Sequence, residues 1–301
     1  MKQPPIQSLW NAADAAQCND DLALRVYSSR LLGQNPNLVL HGGGNTSVKI
    51  SETNLVGEQE EILYVKGRGW DLATIEAPGF APVRLEPMKK LAKLKSLSDP
   101  QMVNELKTQM TLAGAPSPSV ETILHAVLPY KFVDHTHADA VVTLTNTADG
   151  EQRIRELYGD KVIIVPYVMP GFDLARTIGV QYEREATEQT IGMILLNHGV
   201  FSFSDSAEES YERMVELVSM AEQSLMAQEA WEVDQESGSA PEGEQRQAVA
   251  TLRAEISKAA GRPMLVQMSE SEAGYRFAQH PQLESIATRG PVTPDHVLRT
   301  K

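Results

Sequence analysis

The alternation of apolar and polar positions divides the chain into segments. Residues 11–33 carry Leu22, Val26, Leu31 and Leu32 on one approximate helical face, with Gly33 placed as a C-cap. The stretch NLVLHGGGNTSVKI reads as strand, glycine turn and strand, with Val39 before the turn and Val48 and Ile50 after it. Ile62 to Val65 repeat the pattern as a short apolar strand followed by Gly67-Arg68-Gly69. Residues 86–112 predict helix. Beyond Pro116 and Pro118, Ser119 is placed as the N-cap of a helix running to Pro129. The β-branched runs VVTLT (141–145) and KVIIVPYV (161–168) predict strands. GMILLNHGVFSF predicts a buried strand pair broken at Asn197-His198-Gly199, and 206–231 return to helix. WEVDQESGSAPEGEQRQ (231–247) has the composition of a linker. A helix around 247–260, the apolar piece MLVQM, another helix and the tail RGPVTPDHVLRTK complete the pattern.

Composition narrows the class. In 301 residues, 42% hydrophobic and 22% charged positions describe a globular chain long enough for a substantial core. The net charge of −13 argues against a general nucleic-acid binder, which needs basic surface. One cysteine, Cys18, excludes a disulfide scaffold and a cysteine-based zinc module. No apolar run approaches the ~18 residues of a membrane span, and the amino terminus lacks a signal-peptide core, so a cytoplasmic protein with no membrane partner is expected.

Chemistry concentrates on three histidines. His135 and His137 are two apart at the start of HTHADAVVTLT, and in a strand such residues face the same side. His198 sits where the chain leaves a strand. Three neutral imidazoles with an open position suit a catalytic zinc, and the donor set also accepts other divalent metals. His41, His125, His280 and His296 lack that spacing. Glu121 reads either as a capping acid or as an ionised carboxylate close to a metal that takes up a proton during turnover. The run His41 to Ser47 reads either as a plain β-turn or as a cradle of backbone amides for an anion, with Asn45 facing an oxyanion or hydroxyl. It lacks the last glycine of a dinucleotide fingerprint, which argues against a NAD-linked enzyme.

These segments together resemble the class II aldolase/adducin family. GGGNTSVK resembles its Gly-Asn-hydroxyl-Ser motif, YVKGRGWDL its phosphate-side turn, and PSVETILHAVLP its Ser-Ser-Glu helix start. VDHTHADAV and LLNHGVFSF resemble the paired and third zinc histidines, and VPYVMPGFDLA a Pro-Tyr…Gly segment, in the same order from about residue 20 to about 230. Aldolase halves of bifunctional aldolase/short-chain dehydrogenase proteins are the most similar, and here the chain ends at Lys301 with no dehydrogenase half.

The resemblance implies an α/β fold, a three-layer α/β/α sandwich with a mainly antiparallel sheet, in a homotetramer with active sites at subunit boundaries. It implies a catalytic domain over 1–231 and a C-terminal extension over 232–301 that packs on it. The activity implied is reversible retro-aldol cleavage of a ketose phosphate or hydroxy-keto acid through a metal-stabilised enediolate. Zn2+, or another divalent metal, is implied on His135, His137 and His198, with Glu121 as acid/base, His125 on the family's helix histidine and Tyr167 as aldehyde-side proton donor. Gly44, Asn45, Thr46, Arg68, Gly69 and Ser119 are the implied substrate contacts, joined by Lys66, His296 and Arg299 as further candidates. Arg68 and Val120 replace family hydroxyls. The guanidinium suits phosphate or carboxylate, or it is a solvated turn residue. The tail, with Thr293, His296 and Arg299, either folds over the substrate or packs as surface. Epimerases, dehydratases and decarboxylases share the fold and metal site, and a non-catalytic adducin-like module is the remaining alternative.

Overall fold

The computed structural model describes residues 5–230, 245–267 and 271–299. Seven strands form one mixed sheet: β1 (Asn45–Thr53), β2 (Gln59–Lys66), β3 (Phe80–Arg84), β4 (Phe132–Thr136), β5 (Val162–Val165), β6 (Gly192–Leu195) and β7 (Gly199–Ser204). Their order is β3-β2-β1-β4-β7-β6-β5; β5 and β6 run parallel and every other adjacent pair is antiparallel.

Alternation along the inner strands separates two cores. Ile194 and Val200 join the helices Asp21–Gly33, Asp139–Thr145, Gly150–Tyr158 and Ala207–Ala227 in one cluster. Met193, Leu195, Phe201, Phe203 and Val133 join Leu85–Leu91, Asp99–Thr108, Thr122–Val127 and Phe172–Glu185 in the other. Neighbouring residues of a strand point to opposite faces, so the sheet lies between two layers of helix.

The register of β1 against β4 places the site. Asn45 pairs with His135 and Thr46 with Asp134. Asn45 and His135 therefore share one face, while Thr46 and Asp134 share the other. On that other face Arg25 meets Asp134 at 2.5 Å with both side chains fully buried, and Ser210 Oγ donates to the second Asp134 oxygen. Thr46 Oγ1 lies 2.8 Å from Ser29 Oγ there. This buried polar network sits directly behind His135.

Several local expectations are corrected. VVTLT is helical, in Asp139–Thr145, because Ala140, Val141 and Leu144 bury as a helical face in the first core; packing overrides β-branched composition. Leu38 and Val39 are buried, yet Leu38 lies in a turn and Val39 in unpaired coil, and the first strand begins only at Asn45. The 86–112 segment is two helices, and the second starts at Ser98, whose N–H and O–H both donate to Gln101 Oε1. Gln34, rather than Gly33, caps the first long helix, with its N–H on Arg30 O at 2.9 Å. The helix expected from Ser119 starts at Thr122 with Glu121 in the N-cap position, because Ser119 is used in a preceding turn that accepts from Thr122.

Contacts group residues 1–228 and 291–301 as one compact unit and 229–290 as another, which contains the helices Gln245–Ala259, Glu272–Ala278 and Leu283–Ala287. Most of the expected linker, residues 231–244, lies outside the described residues. Among the described residues no helix is long and apolar enough to cross a membrane.

Candidate functional site

His135 leaves β4 with its ring stacked on Phe201 of the neighbouring strand, centroids 4.0 Å apart. Its Nδ1–H donates to Val200 O at 3.0 Å, which leaves the Nε2 lone pair directed out of the sheet. His137 follows at the strand end. His198 occupies the β6–β7 turn, where Asn197 holds a left-handed φ of 57°. Three bonds sustain that conformation: Asn197 N–H to Thr145 Oγ1, and Asn197 Nδ2 to Thr145 O and Asn146 Oδ1. Gly199 comes next because a Cβ there would lie 2.4 Å from Thr136 O and 3.0 Å from both His135 and His137 rings. The Asn-His-Gly sequence is thus what lets the third imidazole close on the first two.

One nitrogen from each ring lies within 4.8 Å of the others, and all three side chains are buried. His135 Nε2 and His137 Nε2 are 3.0 Å apart. Each ring has a hydrogen-bond acceptor at Nδ1, Val200 O and Asp295 Oδ1 respectively. Two lone pairs therefore face each other, an arrangement that a shared cation relieves. Tetrahedral Zn–N bonds of about 2.0–2.1 Å place ligand nitrogens roughly 3.3 Å apart, so the spacing fits a metal.

Glu121 supplies the second sign of a cation. Its Oε2 lies 3.6 Å from His135 Nε2 and its Oε1 3.6 Å from His198 Nε2. Oε1 is buried with no hydrogen-bond partner. An orphaned carboxylate oxygen facing three imidazoles is costly unless a positive charge is shared among them. Burial alone raises a carboxyl, but the imidazoles of His135 and His198 and the Asn45 amide oppose it and leave Glu121 below its ordinary range. Burial lowers His135 well below its usual value and His198 to about 4, with Glu121 opposing in both cases. Neutral imidazole is the form that binds metal.

A relay orients the carboxylate. Asn45 Nδ2 donates to Glu121 Oε2 at 2.6 Å, and Asn45 Oδ1 accepts from His125 Nε2. His125 Nδ1 then accepts from Ser47 O–H at 2.8 Å. His125 is fully buried and its pKa is pushed down to about 3, chiefly by desolvation. An unfolded chain protonates this histidine below about pH 6.5, whereas the folded chain resists until about pH 3. The unfolded state binds the extra proton in that window, so folding stability falls as pH falls. The slope from this one side chain approaches ~1.4 kcal/mol per pH unit. Urea titrations at pH 4.5 to 6.5 should show His125→Gln with a flatter dependence than wild type, by close to one proton.

A cavity of about 660 Å³ opens over the histidine cluster, within the usual range for small-molecule sites. Gly44, Asn45, Lys66, Arg68, Gly69, Ser119, Glu121, His137 and His198 all line it. Lys66 is buried, donates to Gly42 O at 2.6 Å, and is lowered by desolvation to about 8 against the pull of Asp71, Asp295 and Glu121. It is thus mostly cationic at neutral pH. Three expected contacts fall elsewhere. Thr46 is fully buried behind the sheet because its register partner is Asp134. Tyr167 is 53% exposed with its hydroxyl 3.8 Å from Met169 Sδ, outside the lining of the cavity. His296 is paired with Thr293 Oγ1 at 2.7 Å and also does not line it. The Arg299 side chain lies outside the described residues. Asn45 lines the cavity while its amide is directed to Glu121 and His125. Asp295, which sequence reading passed over, reaches His137.

A family model, Class II Aldolase and Adducin N-terminal domain, matches residues 24–225. The chain belongs to the class II aldolase and adducin family. A second model, Aldolase class II second domain, matches residues 243–301. A curated relative, Uncharacterized oxidoreductase YuxG of Bacillus subtilis (strain 168), is 32% identical over 302 residues, covering 98% of this chain and 43% of that protein. This class II aldolase family member therefore spans less than half the length of that relative. The N-terminal class II aldolase domain of a conserved Thermoplasma acidophilum protein is 40% identical with a TM-score of 0.67, covering 73% of this chain and 99% of that chain. An aldolase II superfamily protein of Pseudomonas syringae shares the fold at 15% identity and a TM-score of 0.50, covering 83% and 98% of the two chains.

Proposed function

We propose that this family member is a divalent-metal-dependent lyase that cleaves and forms a C–C bond in an anionic ketose phosphate or hydroxy-keto acid. The observation that carries this reading is the convergence of three buried imidazoles on one another beside the Glu121 carboxylate, whose Oε1 is buried 3.6 Å from His198 Nε2 without a hydrogen-bond partner. His135, His137 and His198 would hold the metal, with Zn2+ the best match to the donor set. A metal bound there supplies Lewis-acid polarisation of a carbonyl oxygen. Glu121, aimed by Asn45, is positioned to exchange a proton with the carbon that loses its bond. Lys66 and Arg68 put two cations in the lining of a cavity in a chain of net charge −13, a local field that draws in an anionic substrate. Ser119 and the amides of Gly44 and Gly69 add neutral donors to that wall.

Tyr167 fits the role of aldehyde-side proton donor only by reaching the site of a second copy, since it is exposed and away from its own cavity. A homo-oligomer, in the form of a tetramer, and a cytoplasmic setting belong to the same reading. So does an aldolase role within a longer two-activity protein, suggested by the length and printed name of the Bacillus relative.

Metal analysis of the purified chain followed by a panel of phosphorylated and unphosphorylated ketoses and hydroxy-keto acids, read by released aldehyde, tests the proposal. Aldehyde release that stops on chelation and returns with Zn2+ is the expected result. Carbon dioxide or an epimer as the only product would replace the lyase reading with a decarboxylase or epimerase. With a phosphorylated substrate, Arg68→Ala should cost about tenfold in kcat/KM, mostly through KM, the magnitude of one charge-assisted hydrogen bond at an exposed site. The same variant should leave cleavage of an uncharged ketose unchanged.

A further inference from the structure

We propose that Asp295, from the carboxyl-terminal segment, is the positioning residue of His137, so that the last turn of the chain completes the metal site. This rests on the metal reading above.

Asp295 is 1% exposed on the short helix Pro294–Arg299. Its Oδ1 lies 2.5 Å from His137 Nδ1, across 158 residues of sequence. Its Oδ2 accepts the Leu40 N–H at 2.7 Å. Both carboxylate oxygens are thereby engaged, and the side chain is held by a backbone donor just before the glycine turn. Gly43 completes the seat: a Cβ there would sit 1.6 Å from Asp295 Oδ1. The segment is anchored upstream as well, with Asn146 Nδ2 donating to Val292 O at 3.2 Å and Thr293 buried. Pro294 lines the same cavity as Glu121 and His198.

The three imidazoles are supported unequally. His135 donates Nδ1–H to a carbonyl of its own sheet, and His198 Nδ1 is buried without a partner. Only His137, among these three, has a carboxylate at Nδ1, on the side of the ring away from the shared point. A carboxylate accepting Nδ1–H fixes the ring rotation, keeps the Nε2 lone pair directed at the shared point, and makes that nitrogen a stronger donor to a cation. The segment therefore acts through Asp295 on the ring of His137. A residue far along the chain, in a segment grouped with the first compact unit, sets the geometry of a histidine just past the end of β4.

The test uses full-length chain stripped of metal, with wild type, Asp295→Ala, Asp295→Asn and Gly43→Ala. Cobalt(II) serves as the probe, because its visible spectrum reports ligand geometry, and Zn2+ affinity is measured by competition with a chromophoric chelator. Circular dichroism and the thermal midpoint of each metal-free protein check folding. Asp295→Ala is expected to weaken Zn2+ binding by about 10- to 100-fold, the usual range for loss of a partner behind a metal-bound histidine, and to alter the cobalt spectrum. Asp295→Asn keeps an acceptor and loses the charge, and should fall between that variant and wild type. Gly43→Ala, which crowds the carboxylate without removing it, should shift affinity in the same direction. If Asp295→Ala does not fold, Asp295→Asn decides. Wild-type affinity and an unchanged cobalt spectrum in the folded Asp295 variants would overturn the inference and leave the three-histidine site standing. A wild-type chain that takes up neither metal would overturn that site itself and, with it, the role of Asp295.

Discussion

Replacing His198 by alanine is expected to bring bound divalent metal from about one per chain to background and to abolish lyase activity with it. His198 is the only one of the three imidazoles that comes from outside β4 and its exit, so its loss leaves two adjacent donors and no closed site. Two imidazoles with one open side hold a divalent cation far less tightly than three. Lewis-acid stabilisation of developing charge is worth several kcal/mol, and 1.36 kcal/mol is a factor of ten, so a loss of roughly a thousandfold or more follows. The substitution should spare the fold. The left-handed turn is held by Asn197 on Thr145 and Asn146, and Gly199 stays in place. Metal analysis of the folded variant beside a cleavage assay checks both halves. Full activity in a variant without metal would refute the scheme, as would full metal content.

Glu121→Gln is expected to separate metal binding from catalysis. The side chain keeps its shape, and Asn45 Nδ2 still finds a carbonyl oxygen to donate to. What disappears is the group that accepts a proton. Removal of a positioned acid/base lowers turnover by roughly 10²- to 10⁴-fold. The effect should fall on kcat, with the metal retained at somewhat lower affinity because one anion is gone. Exchange of the substrate's carbon-bound proton with solvent deuterium, followed by mass spectrometry or NMR, reads the lost step directly. Exchange at the wild-type rate in Glu121→Gln would assign the proton to another group.

The fold was largely legible because the pattern of buried strands is local. Ile62 to Val65, KVIIV and GMILL carry β-branched and aliphatic runs that emerge as β2, β5 and β6. The pattern failed where burial imitates propensity. VVTLT has strand composition, yet it forms a helix, since a run buried against neighbouring helices is apolar in either conformation. The glycine turn failed for another reason: Val39 is buried without being paired, and sequence periodicity does not distinguish the two.

The site divides along the same line. The His-X-His pair and the Asn-His-Gly turn could be read from the chain, since each depends on spacing within a few residues, whereas Glu121 was named through the order of motifs in the family resemblance. The direction of Asn45 could not, because strand register alone puts it beside His135 and within reach of His125. Nor could Thr46, which shares a motif with Asn45 but turns to the back face by the pleat of β1.

By itself, then, the sequence determined which residue types were on hand for a divalent metal and which strands and helices would carry most of them. Only the tertiary structure added Asp295 to them, beside the Glu121 that the family resemblance already implied. Glu121 and Asp295 meet the imidazoles through strand register and chain reversal over long separations. Spacing within a motif records local geometry, whereas contact between remote segments is set by packing of the whole sheet and its helices.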